Sequence, residues 1–116
     1  MDTYTVEKDI GKTTVSPEVL HKIAHLTTLS VEGVSRMANV RSRFQNFFDK
    51  EDWQGASVVI KDGKVFVDIY VILMSDLNVR EISREIQSRV SRAISEMVGM
   101  EAGGVNIHIM DIDFSA

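Results

Sequence analysis

The chain has 116 residues, no cysteine, and 13 basic against 17 acidic side chains, for a formal net charge of -4. That length suits one domain able to stand without staples. The missing cysteines exclude disulfides, thiol catalysis and thiolate metal sites, in keeping with a reducing cytoplasm, and the acidic balance opposes general binding to nucleic acid.

Met1 to Thr5 lacks the basic start and apolar run of a secretory signal, and no stretch approaches the ~18 apolar residues of a membrane span. A soluble chain that is not exported by an ordinary signal is expected. Thr13-Thr14-Val15 reads as a short strand. Ser16-Pro17-Glu18 then starts a helix: Ser accepts from a backbone N–H, Pro suits the first helical position, and Glu complements the positive dipole end. The pattern predicts a helix from Pro17 to about Leu29, with Val19, Leu20, Ile23, Ala24 and Leu26 on its buried face and His21, Lys22, His25 and Thr28 on the solvent side.

Gly33 breaks the pattern, and a strand is expected from Val34 to about Ala38. From Ala38 to Gly55 the sequence is polar and aromatic, which predicts a short extra helix or a mobile, variable insertion (about 38–55) within a single domain of residues 1–116. Ser57 to Lys61, Asp62-Gly63 and Lys64 to Met74 read as a β-hairpin, because Asp-Gly adopts the positive φ angles of tight primed turns. In its second strand Val65, Val67, Ile69, Val71 and Leu73 point one way. Phe66, Tyr70, Ile72 and Met74 make the other face largely apolar too, so this strand calls for cover on both sides.

Asn78-Val79-Arg80-Glu81 reads as a capping box opening a second helix. Val79, Ile82, Ile86, Val90, Ala93, Ile94 and Met97 form its apolar stripe, and Gly99 stops it. Val105 to Ile109 alternates as a half-buried strand, and the alternation slips by one at Met110, which predicts a bulge or a turn to a second apolar surface. The expected architecture is α+β: two principal helices packed on a mixed sheet centred on the β-hairpin, in the order β-α-β-β-β-α-β.

Distributed matches now give the sequence a family likeness. They are Gly11-Lys12, Ser16, Glu18-Val19, Ile23-Ala24 and Val31-Glu32-Gly33-Val34 in the first half. In the second half they are Val67 to Val71, Val79, Ile82, Val90, Ala93-Ile94, Met97-Val98-Gly99, Val105 to Ile109 and Asp111-Ile112. In order and spacing the chain resembles the alkaline-shock, or envelope-stress-response, protein family of Gram-positive and related bacteria. The resemblance implies a small non-enzymatic cytoplasmic protein that self-assembles and lies beneath the membrane through a membrane-anchored partner. It carries over no catalytic residues and implies no cofactor. Residues 38–55 match no part of the family pattern.

Other chemistry has to be weighed against plainer readings. His21 and His25 are one turn apart, a metal-sharing spacing, but Lys22 stands where a zinc-protease helix carries Glu and there is no evident third ligand. Asp111 and Asp113, with Asp68 from a strand expected nearby, would gather carboxylates for a cation; acidic guards on a terminal strand are the more ordinary reading. Gly103-Gly104 lacks the strand-to-helix setting of a phosphate loop, and Gly11-Lys12-Thr13 lacks its upstream glycine. Arg80, Arg84, Arg89 and Arg92 are interleaved with Glu81, Glu85 and Glu96, the pattern of a solvated, salt-laced helix face.

The candidate interaction surface is Arg36, Arg41, Arg43, Phe44, Phe47, Phe48 and Trp53, since aromatic rings with arginines mark protein interfaces and also suit membrane surfaces. Three readings stand: the rings cover the open face of the sheet, they bind a second copy or a partner, or they touch membrane. The functional expectation is a stress-related scaffold or interaction protein that self-associates, with no catalytic, cofactor or metal residues. The alternative is an RNA-associated α/β module using Arg80, Arg84 and the arginines of 36–43.

Overall fold

The computed structural model describes residues 4–8, 11–39, 55–75 and 78–114. The elements are β1 (Tyr4–Lys8), β2 (Gly11–Val15), α1 (Pro17–Leu29), β3 (Val34–Met37), β4 (Ala56–Lys61), β5 (Lys64–Met74), α2 (Val79–Val98) and β6 (Glu101–Asp113). From β2 onward the order is the expected one. β1 is an additional strand, antiparallel to β2 in a separate two-stranded sheet.

β5 organises the main sheet. β6 runs parallel to it from Lys64 to Met74 and takes the whole of one edge. The other edge is shared end to end: β4 pairs antiparallel with Lys64 to Ile69, and β3 pairs antiparallel with Val71 to Leu73. The junction lies at Tyr70, whose carbonyl accepts from Ala38 N–H and whose own N–H donates to the Gly55 carbonyl, both at 2.8 Å. Gly55 is required there: its φ is +74°, and a Cβ would lie 2.7 Å from Met37 Cβ and 3.0 Å from the Tyr70 carbonyl oxygen.

Alternation on β5 separates its two faces. Val65, Val67, Ile69, Val71 and Leu73 are all fully buried, and they meet Leu20 and Ala24 of α1 and Ile86, Val90 and Ile94 of α2 in one core. Each Val, Leu or Ile side chain removed from water in this way contributes roughly 1.5–3 kcal/mol before entropy is counted. The Asp62-Gly63 turn has positive φ at both residues, as primed turns require. Two helix ends behave differently. Asn78 Oδ1 accepts from Glu81 N–H at 3.1 Å and Gly99 closes α2 in the left-handed region, whereas Ser16 caps α1 without a side-chain hydrogen bond.

The apolar stripe of α1 differs from the sequence reading. Leu20, Ala24 and Thr28 are buried, while Val19 is 44% and Leu26 64% exposed. The five apolar positions span more arc than the sheet covers, and the buried arc is completed by Thr28 on the side expected to face solvent. On α2 the middle of the stripe is buried as expected, and only its ends, Val79 and Met97, are exposed. The slip at Met110 is a β-bulge, since Ile109 pairs with Val71 and Asp111 with Ile72; a second bulge skips Gly103.

Candidate interaction face

Both helices lie on one side of the main sheet, so the candidate site is the other side, where Phe66, Asp68, Tyr70 and Ile72 of β5 are half-buried and Met74 is exposed. β4 adds Val59, 55% exposed and paired with Phe66. The Phe66 ring reaches over the Gly103-Gly104 backbone of β6, where a Cβ on Gly103 would meet it at 2.5 Å.

The parallel register sets Asp68 beside Asn106 and Tyr70 beside His108. Asn106 Nδ2 donates to Asp68 Oδ1 at 3.2 Å, and His108 Nε2 lies 3.0 Å from the same oxygen. The Tyr70 and His108 rings stack with centroids 4.5 Å apart and planes 14° apart. The side chains of His108 and Asp68 are 42% and 37% exposed, so water screens the pair. Local patterning missed this cluster; the common spacing of Asp68-x-Tyr70 and Asn106-x-His108 was the signal, once the strands are known to be parallel and in this register.

Of the candidate surface residues, Arg36 is placed on β3 beside Ile72, and its Nη1 lies 3.1 Å from Asp113 Oδ2, which also accepts from Ser35 Oγ at 3.1 Å. Arg41, Arg43, Phe44, Phe47, Phe48 and Trp53 lie outside the described residues. Asp68 does not join Asp111 and Asp113: Asp111 Oδ1 accepts from Ile112 N–H, and among the described residues no group of three or more His, Cys, Asp or Glu is placed to hold a metal ion. His21 and His25 are half-buried rather than on an open solvent face, and burial pushes the His21 imidazole down from 6.5 to about 4. On α2, Arg89 pairs with Glu85 at 2.6 Å, the salt-laced arrangement expected of that face. Among the described residues no helix is long and apolar enough to cross a membrane.

Residues 5–114 match the model of the family of alkaline-shock protein 23, described as having a cell envelope-related function. The chain belongs to that family. Among relatives of this alkaline-shock family member, the uncharacterized protein Spy1535 of Streptococcus pyogenes is 35% identical over 106 residues, covering 89% of this chain and 80% of its own. The uncharacterized protein YqhY of Bacillus subtilis is 25% identical over 107 residues, covering 90% and 79%. Among solved structures, the copper form of the MamM CTD covers 86% of this chain and 90% of its own, with a TM-score of 0.52 and 10% identity, a likeness of fold.

Proposed function

We propose that this alkaline-shock family member is a non-enzymatic scaffold that self-associates and is held at the inner, cytoplasmic face of the cell envelope by a membrane-anchored partner. The observation that carries this reading is the helix-free face of the main sheet, where Val59 and Met74 stand exposed beside Phe66, Tyr70 and Ile72. Apolar side chains in such a row favour a protein surface over water. The family's envelope-related role supports the location.

The segment with Arg41, Arg43, Phe44, Phe47, Phe48 and Trp53 is a second proposed contact, because its ring and guanidinium composition suits an interface. The chain leaves the sheet for it at Ala38 and returns at Gly55, both against Tyr70. Light scattering behind size exclusion tests self-association across a concentration series. A mass that rises with concentration is expected; a monomer at every concentration and salt would overturn the scaffold reading.

A further inference from the structure

We propose, resting on the self-association reading above, that the helix-free face is the interface between two copies of this chain, related by a two-fold axis running nearly parallel to β5. Charge on this face divides by edge. Lys61 and Arg36 stand on the β4/β3 edge, level with Lys64 and Ile72 of β5. Glu101 and Asp111 stand on the β6 edge, level with the same two residues.

A two-fold axis along β5 exchanges the edges and keeps the levels. Lys61 of one copy then meets Glu101 of the second, and Arg36, bridged through Nη1 to Asp113 of its own copy, comes level with Asp111 of the second, each approach made twice because a two-fold interface is self-complementary. An axis across the strands would instead bring Glu101 toward Asp113 and Lys61 toward Arg36, like charge toward like. Glu101 is 70% exposed and only 3.9 Å from Lys64 of its own copy, leaving room for a second cation. The favoured axis also brings Asp68 and Lys64 of β5 near their counterparts; Asp68 is already held by Asn106 Nδ2 and His108 Nε2, and Lys64 lies 3.9 Å from Glu101 of its own copy.

Pairing through the outer edge of β6 is the competing geometry, and its backbone is partly closed to it. Gln87 Nε2 of α2 donates to the Val105 carbonyl at 3.1 Å, Asp111 takes the Ile112 N–H at 2.8 Å, and bulges interrupt the strand at Gly103 and Met110. These devices blunt strand addition and leave the face. Three strands abreast at ~4.8 Å, along the 11 residues of β5 at ~3.3 Å each, give about 500 Å² per copy, or about 1,000 Å² in all. That is the low end of specific interfaces, so the dimer is concentration-dependent. Stacked sheets keep their strands within about 30° of each other, which an axis roughly 15° from β5 provides.

The test is a charge exchange in the full chain, with folding checked by circular dichroism. Lys61→Glu and Glu101→Lys are each expected to weaken self-association about tenfold at low salt, because two attractions become two repulsions. An equimolar mixture of the two variants should restore it, as each then meets its opposite charge twice. Association that neither exchange alters would overturn this interface while leaving the scaffold reading intact, and its loss on polar substitution of Phe44 and Phe47 would move the contact to that segment. Weakening without rescue in the mixture would overturn the axis proposed here. A wild-type chain that stays monomeric would overturn both readings.

Discussion

Arg36 Nη1 and Asp113 Oδ2, from residues 77 apart in sequence, lie 3.1 Å apart, so an ion pair straps β3 to β6 across the end of β5. The two partners are unequal. Arg36 is 61% exposed and Asp113 only 18%, and the carboxylate also accepts from Ser35 Oγ. Asp113→Ala should therefore cost about 1 kcal/mol, because it leaves two donors without their acceptor, and Arg36→Ala at most ~0.5 kcal/mol, the worth of an exposed pair. Urea midpoints of the two variants check the order; equal losses would mean that the strap acts as a plain surface pair.

The close approach of Phe66 to Gly103 makes a sharper prediction. A Cβ at Gly103 would lie 2.5 Å from the ring, so Gly103→Ala should destabilise by about 1–2 kcal/mol. Because the obstruction is one side chain, Phe66→Leu should recover part of that loss in a double-mutant cycle. Gly55→Ala should cost more, since its obstruction includes backbone and its φ is +74°, and no neighbouring truncation should rescue it.

His21 links folding to pH. Burial holds its folded pKa at about 4, below the 6.5 of the unfolded chain. The unfolded state therefore takes up a proton first as pH falls, and the stability His21 contributes is fully present above about 6.5 and lost as pH falls to about 4. Its part exposure holds the effect to on the order of 1–2 kcal/mol. Denaturation of wild type and His21→Gln at pH 7 and 4.5 isolates it from the carboxylates. The wild type should lose more stability than the variant over that interval; parallel losses would sink the assignment.

Much of the architecture could be read locally. The bounds of α1, the Asn78 cap, the Asp62-Gly63 turn and the slip at Met110 all follow from nearest neighbours along the chain. β1 could not be read in that way: Asp9-Ile10, between β1 and β2, lacks a tight-turn signature, and Tyr4–Lys8 has little apolar alternation. Nor could the cluster of Asp68, Asn106, Tyr70 and His108, which exists only because β6 pairs parallel to β5 in one register. That register is set by tertiary packing of both strands beneath α2, and no local pattern encodes it. The candidate face was legible as a doubly apolar strand, but not its division of charge by edge.

The corrected stripe of α1 gives the last prediction. Leu20 and Leu26 look equivalent in the sequence pattern, yet Leu20 is fully buried and Leu26 is 64% exposed. Leu20→Ala removes a side chain packed in the core beneath α1 and should cost about 2–5 kcal/mol, the spread depending on how far the cavity relaxes. Leu26→Ala should change stability by less than about 0.5 kcal/mol, since little of its surface leaves water on folding. Thermal and urea unfolding of the pair measures the difference. A Leu26→Ala variant that instead lost association at unchanged stability would show that this leucine is spent on a partner, and would place a second contact on α1, on the helix side of the sheet, opposite the face proposed for the dimer.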